Sequence, residues 1–409
     1  MESTPHPSNA GYSSPFPPQQ TAVALALIFS ILLMDVIGFT LLSPVAPYLV
    51  ARYDNSALAV TLITVSYAVA QFFAAPFLGK LGDRYGRRPV LLISLLGQGI
   101  GYFIFGMGGA LWILLLGRFI GGVTGGNMST ATAYIADISS PERRARNFGL
   151  IGMAWALGLI LGPAAGAIFG QINLAAPAFA AAVLSLVNVL LGLFWLPESL
   201  PSEYRDRSPL RLNDFNPISA IFDMGRKPGL GWVLVVLCLF NFSFNGVNST
   251  STFFFIEKFG VQPWQTGLLL GLTGVALAFV QFVLVQRVVS RFGEKRVAMS
   301  SLFGQAVFMT TIFFAPAFWI IYPLNMLNGA CSSFTFPTLT TLTTDRVSHR
   351  EVGLLMGVTT ALGSLMNIFG PLWAGMAYEQ VMPGAPYWMG ALIFAAAALI
   401  LQFAAPSKG

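Results

Sequence analysis

Long stretches of the chain are apolar from end to end, neither alternating as a half-buried strand does nor returning to a single helical face, and short polar turns separate them. Twelve such stretches can be drawn, at 21–50, 57–79, 89–107, 111–136, 147–170, 177–196, 229–255, 264–286, 297–314, 317–343, 352–378 and 386–404. About 20 consecutive apolar residues cross a bilayer as a helix, and a helix satisfies its own backbone groups where no water can. Continuous apolarity argues against a membrane barrel, whose strands alternate. The pattern predicts an all-α integral membrane protein with 12 transmembrane helices. Its longest connection mixes both signs of charge with several prolines and divides the spans six and six. The expected organisation is a disordered tail over 1–20, a six-helix half over 21–196, a linker over 197–228 with a short surface helix at Asn216 and Pro217, and a second six-helix half over 229–409.

Composition agrees: 55% of the 409 residues are hydrophobic and only 9% charged, against about 25% in a soluble domain. The placement of the charges adds orientation. All but four of the 22 Lys and Arg residues lie in even-numbered loops, with Arg143, Arg144 and Arg146 after span 4 and Arg287, Arg291, Lys295 and Arg296 after span 8. Odd-numbered loops hold Arg52 and Lys258. Positive charge marks the cytoplasmic side, so a multi-pass protein of the cell membrane with both termini cytoplasmic is expected. The opening residues lack Lys and Arg, which predicts no cleaved signal. Cys238 and Cys331 fall inside apolar spans and read as buried apolar residues rather than a disulfide or metal pair.

The halves resemble each other at a spacing near 207 residues. Arg84-Tyr85-Gly86 is echoed by Arg291-Phe292-Gly293, Asp137 by Asp345, and Gly162-Pro163 with Gly166 by Gly370-Pro371 with Gly375. A six-span unit repeated in one orientation is the plan of a transporter whose halves rock about a site near the bilayer midplane.

Three motifs narrow the class. Gly79-Lys-Leu-Gly-Asp83-Arg84-Tyr-Gly86-Arg87-Arg88 reverses the chain between spans 2 and 3, where an ordinary basic loop would need neither Asp83 nor three glycines. Its mixed charges can form ion pairs that break as the halves separate, and Asp137 at the end of span 4 is a candidate member of the same cytoplasmic gate. This stretch resembles the signature loop of the major facilitator superfamily. Arg118-Phe-Ile-Gly-Gly122-Val-Thr-Gly125 resembles the arginine motif of proton-coupled members, and Gly158-Leu-Ile-Leu-Gly162-Pro163-Ala-Ala-Gly166 the motif of antiporters. Glycines every fourth residue also make a smooth face for plain helix packing, and Pro163 should bend span 5. Together with Asp35-Val-Ile-Gly38, Tyr67-Ala-Val-Ala-Gln71 and Ala133-Tyr134-Ile-Ala-Asp137, the first half is similar to the drug:proton antiporters, nearest to the tetracycline efflux proteins. The resemblance covers roughly 25–200 well and the second half loosely, and it implies the major facilitator fold, alternating access, drug efflux and antibiotic resistance.

One acidic residue, Asp35, lies mid-span, about 14 residues or ~20 Å into its helix, where an aspartate costs about 2.5 to 3.5 kcal/mol. It can escape that cost by taking a proton. Arg118 lies at a comparable height if spans 1 and 4 are neighbours. The expectation is that Asp35 carries the coupled proton and Arg118 sets how readily it does so; a static ion pair between them is the alternative. The histidines, His6 and His349, lie outside the spans, so no histidine relay exists and about one proton per cycle is implied. The second half lacks the further ionisable residues usual in tetracycline efflux proteins.

Polar stripes at helical spacing supply a candidate substrate cavity: Thr64, Tyr67 and Gln71 in span 2, Asn241, Asn245, Asn248 and Thr252 in span 7, and Asn325, Asn328 and Ser332 in span 10. Phe39 follows Asp35 by one turn and joins them. Such stripes can equally hold helices together. Asn127, nine residues beyond Arg118, falls on the opposite face of a continuous helix and is set aside. An amide-lined, aromatic cavity with a single acid suits small hydrophobic or amphipathic molecules. The chain is thus expected to be a proton-coupled exporter of such molecules, monomeric in the bilayer, with no cofactor, metal or nucleic-acid partner. A symporter or facilitator for a metabolite and a non-transporting receptor are the rivals. Neither a nucleophile with a base partner nor a metal-ligand cluster argues for an enzyme.

Overall fold

The computed structural model describes residues 17–125, 127–139, 141–205, 224–227, 229–347 and 352–403; the expected tail and most of the linker with its surface helix lie outside them. Twelve spans follow one another, and no strand occurs among the described residues. The first half comprises span 1 Pro18–Leu41, span 2 Ala57–Tyr85, span 3 Arg87–Met107, span 4 in two pieces, Leu111–Val123 and Asn127–Ile138, span 5 Pro141–Ile172 and span 6 Ala176–Phe194. The second half comprises span 7 Leu230–Phe259, span 8 from Pro263 to Phe292, span 9 Glu294–Phe314, span 10 Phe318–Thr344, span 11 Val352–Gln380 and span 12 Ala385–Phe403. Ten of these are long and apolar enough to cross a bilayer unaided. Span 4 is divided into pieces of 13 and 12 residues, and span 10 carries Pro323, Pro337 and a run of threonines.

Several boundaries differ from those expected, each for a local reason. Span 1 does not run to residue 50: the helix stops at Leu41, a turn follows, and Ala46–Val50 forms a separate short helix. Pro44 in that turn has no N–H for a helical bond, whereas Pro47 sits in the first turn of the next helix, where none is needed. Span 4 breaks after Val123, where Thr124-Gly125-Gly126 holds two residues of low helix propensity, and Gln71 donates to the Gly125 carbonyl at 2.9 Å. The break removes the reason for setting Asn127 aside, since a rotation counted along one helix does not carry through it. Span 5 runs unbroken through Pro163. Span 8 includes a π-helical turn, Val280–Leu284, and is 30 residues long against 29 for span 2.

The repeat extends from sequence to packing. A Cβ on Gly97 of span 3 would meet Thr124 Cγ2 at 2.2 Å, and one on Gly304 of span 9 would meet Cys331 Sγ at 2.9 Å, so equivalent positions make the equivalent approach in each half. Span 1 packs on spans 5 and 6, span 2 on spans 4 and 11, and span 5 on span 8. Contacts between the halves cluster on the side of the odd-numbered loops. Tyr48 Oη donates to Val261 O at 2.6 Å, Leu58 N to Glu379 Oε1 at 2.7 Å, and Gly267 lies against Ala167 and Pro163. On the other side, Gly79, Gly149, Gly152, Gly357 and Gly363 of spans 2, 5 and 11 face open space, with nothing within 4 Å of where a Cβ would stand. Among the described residues, these contacts between the halves lie at the odd-loop end, and the even-loop end shows these open glycine faces.

Candidate functional site

Arg118 is buried within the first half, 9% exposed, and its guanidinium lies over two rings, Tyr67 at 4.7 Å and Phe39 at 5.5 Å. A cation at this distance from a desolvated ring is held by about 2 kcal/mol. Phe39 also touches Tyr67 at 5.6 Å and Trp155 of span 5 at 6.4 Å between ring centroids. Asp35, half-buried one turn before Phe39, acts electrostatically on Tyr67 and on Tyr102, and Arg118 acts on both tyrosines with the opposite sign. Acid, guanidinium and two phenols therefore form one electrostatic centre inside the first half. Gln98, 2% exposed, donates to Tyr102 Oη at 2.8 Å, and Asn188 donates to Ile31 O at 3.1 Å. That carbonyl lies one helical turn before Asp35 in the same helix. Tyr102, Gln98 and Asn188 escaped the sequence reading because each is an uncharged residue in an otherwise apolar span; four-residue spacing of Gln98 and Tyr102 was the available signal.

The glycines of span 5 bring this centre to the other half. A Cβ on Gly158 would meet Val36 Cγ1 at 2.4 Å, one on Gly162 would meet Thr40 Oγ1 at 1.9 Å, and one on Gly166 would meet Leu41 O at 2.1 Å. Thr40 Oγ1 donates to Gly158 O at 2.9 Å. Span 5 thus lies backbone to backbone on the helix that carries Asp35, while Pro163 and Ala167 face Gly267 of span 8.

The signature motif is more helical than expected. Span 2 continues through Asp83, Arg84 and Tyr85, span 3 starts at Arg87, and Gly86 alone makes the reversal, at φ +105. Arg87 pairs with Asp83 at 2.5 Å and with Asp137 at 3.2 Å, and reaches Gly79 O at 3.5 Å. Arg88 donates to Gly192 O at 3.2 Å and to Leu193 O, satisfying carbonyls at the end of span 6. Arg84 is exposed and lies beside Tyr85. Two members were missed. Glu198 accepts from Arg87 N at 2.8 Å and Arg88 N at 3.3 Å, placing a carboxylate on the positive end of span 3, and Ser199 donates to Asp137 at 3.0 Å. More than 100 residues separate them from the motif, and no spacing rule connects the two.

The polar stripes divide. In span 7, Asn241, Asn245 and Asn248 each donate to a carbonyl four residues earlier in their own helix, at 2.8, 2.8 and 2.9 Å, so these amides do not bind helices together. Asn325 does bridge helices, donating to Thr273 Oγ1 of span 8 at 2.8 Å. Asn248, Thr252, Asn325, Asn328 and Ser332 line one cavity of about 80 Å³ in the second half, together with Thr266 and Thr273, which were not anticipated. Their seven-residue separation, two turns on one face, was the missed signal. Phe39, Tyr67 and Gln71 belong instead to the first-half centre, Thr64 is exposed, and Asn241 and Asn245 do not line the cavity.

With the geometry in view, known proteins can be compared. The model of the Major Facilitator Superfamily matches residues 28–285 and 257–408. The chain is 36% identical over 385 residues to the class C tetracycline resistance protein of Escherichia coli, covering 92% of this chain and 94% of that one. The class B tetracycline resistance protein of Escherichia coli is 28% identical over 370 residues, covering 89% and 90%. Among solved structures, the human organic anion transporter MFSD10 superposes with a TM-score of 0.72 at 26% identity, covering 95% of this chain and 100% of that one. A bacterial homologue of the human lysosomal transporter Spinster, in an inward-facing and unoccupied conformation, shares the fold at TM-score 0.70 and 16% identity, covering 95% and 96%. The likeness to the tetracycline resistance proteins reaches through the second half.

Proposed function

The chain belongs to the major facilitator superfamily, and from that premise we propose that it is a proton-coupled antiporter exporting small hydrophobic or amphipathic organic molecules by alternating access. The observation that carries the reading is the first-half centre of half-buried Asp35, Arg118, Tyr67 and Tyr102, tied through the glycines of span 5 to span 8 of the other half. Asp35 takes the proton. Its protonation removes the negative charge that opposes Arg118 in the field on Tyr67 and Tyr102, and so alters span 1, on which span 5 rests. Arg87, Asp83, Asp137 and Glu198 form the cytoplasmic gate cluster, and both termini are cytoplasmic. In that orientation the halves are closed to the outside and open to the cytoplasm, the state that collects cargo for export. One coupled proton provides about 2.3 kcal/mol per 100 mV of membrane potential, plus the contribution of the pH difference.

The test uses the full chain in proteoliposomes with an imposed proton gradient, reading uptake of ethidium and of tetracycline. Wild type should move at least one of them against its gradient. Asp35→Asn, checked for folding by its melting profile, should lose proton-driven accumulation while keeping downhill exchange. A well-folded Asp35→Asn protein with unchanged accumulation sinks the proton-carrier role, and the absence of any flux in wild type sinks the exporter reading for these cargoes.

A further inference from the structure

The repeat assigns a counterpart to the proton centre. Tyr67 and Thr273 are each the eleventh residue of spans 2 and 8, and Arg118 and Asn325 are each the eighth residue of the first helix of span 4 and of span 10. In the first half the pair is a guanidinium over a phenol ring at 4.7 Å, and in the second it is an amide bonded to a hydroxyl at 2.8 Å. The second half therefore holds an uncharged version of the same place.

That place is also hollow. The cavity of about 80 Å³ opens around Asn325, and no Asp, Glu, Lys, Arg or His lines it among the described residues. One of its polar atoms, Asn328 Oδ1, is buried without a hydrogen-bond partner, and Thr266 Oγ1, buried beside the Tyr48 hydroxyl, keeps a lone pair free to accept. An unmet group of this kind costs about 1 to 3 kcal/mol, so a ligand that donates to Asn328 Oδ1 recovers that loss. An amide oxygen only accepts, whereas a threonine hydroxyl donates and accepts. The complementary group is therefore small and uncharged and carries at least one N–H or O–H. Phe244, Phe255 and Tyr387 supply apolar surface beside it. A cavity of this volume is far below the roughly 300 Å³ that encloses a drug-sized molecule, so it takes one arm of a ligand rather than the whole.

We propose that this cavity is a neutral subsite that binds a small uncharged hydrogen-bond-donating group, a carboxamide or hydroxyl, carried on an apolar or aromatic molecule. The subsite rests on the reading of the chain as an exporter of amphipathic molecules and goes beyond it in one respect. The cavity lies in the second half and Asp35 in the first, so the bound ligand does not displace the proton from Asp35. Coupling between them passes through the packing of the halves rather than through competition for one carboxylate.

Benzamide and N,N-dimethylbenzamide, equal in their ring and different in the N–H donors, are the probes. Binding to the purified full-length protein is followed by thermal stabilisation across a concentration series. Benzamide should stabilise the wild type with an apparent affinity at least about tenfold tighter than its dimethyl derivative, the loss expected for one buried hydrogen bond. Thr266→Val, which keeps the side-chain shape, and Asn328→Leu should each abolish that tenfold preference; Thr266→Val serves where Asn328→Leu does not fold. Asp35→Asn should keep it. Equal responses to the two probes, no response to benzamide up to its solubility, or a preference that survives Thr266→Val overturns the subsite. Loss of benzamide binding in Asp35→Asn overturns the separation of the two sites. Proton-driven flux in proteoliposomes reads the exporter assignment separately, so failure of one leaves the other standing.

Discussion

Two glycines on span 5 should respond in opposite directions to the same added methyl group. At Gly162 the new Cβ would stand 1.9 Å from Thr40 Oγ1, 2.9 Å from Thr40 Cβ and 3.0 Å from Ile37 O, where ordinary contact begins near 3.4 Å. The intrusion is about 1.5 Å. Rotation of Thr40 gives up its bond to Gly158 O, a loss of about 0.5 to 1.5 kcal/mol, and leaves Thr40 Cβ and Ile37 O too close, so spans 1 and 5 also separate and lose packing worth about 1 to 3 kcal/mol. Alanine recovers about 1 kcal/mol of helix propensity, so Gly162→Ala should destabilise by roughly 0.5 to 3.5 kcal/mol. At Gly149 nothing lies within 4 Å of the new atom, only the propensity gain remains, and Gly149→Ala should be neutral or stabilise by up to about 1 kcal/mol. Melting of the purified protein in one detergent measures both. Thr40→Ala in the Gly162→Ala background should restore part of the loss, giving a coupling energy of about 0.5 kcal/mol or more. A Gly162→Ala protein that melts with the wild type, or a Gly149→Ala protein that loses as much, would refute the close approach of spans 1 and 5.

Other outcomes follow from the even-loop cluster and the second-half core. Gly86→Ala combines a positive φ with a Cβ 2.4 Å from Glu198 Oε2, and should destabilise by about 2 kcal/mol or more in a melting assay. Arg87→Ala leaves Asp83 and Asp137 without their shared cation and should cost about 3 kcal/mol, whereas Arg84→Ala, on an exposed side chain, should stay within about 0.5 kcal/mol of wild type. Thr335→Val removes the hydroxyl that meets Ser301 Oγ at 2.8 Å and Gln305 Nε2 at 2.8 Å; both partners are buried, and the melting midpoint should fall by an amount equivalent to about 1 to 3 kcal/mol.

The spans were legible because hydrophobic length is a property of the sequence alone. Where they break was not: nothing in the hydropathy of residues 111–136 distinguishes a continuous helix from one interrupted at Thr124, and the capping of that interruption by Gln71 is a tertiary fact. Arg118 and Asp35 stood out as charges in apolar surroundings. Their neutral neighbours Tyr102, Gln98 and Asn188 carry no such contrast. Glu198 shows the sharper limit, since its place at the start of span 3 is set by the path of span 6 and by no local rule. Asn241 and Asn245 mislead in the opposite sense: they continue the stripe of Asn248, but their amides close onto their own backbone and the cavity lies only against Asn248 and Thr252 of that stripe.

The π turn at Val280–Leu284 bears on how this chain can change in length. Spans 2 and 8 start at corresponding residues, Ala57 and Pro263, and end at corresponding residues, Tyr85 and Phe292, yet span 8 has one residue more, and the wide turn absorbs it. In alignment terms it is a single-residue insertion whose register error is confined to one turn. Deleting one residue within 280–284 should close the turn into ordinary α-helix and leave the faces at both ends where they are. The same deletion at Leu270 would rotate everything on one side of it by about 100° and carry either Thr266 or Arg291 to a wrong face.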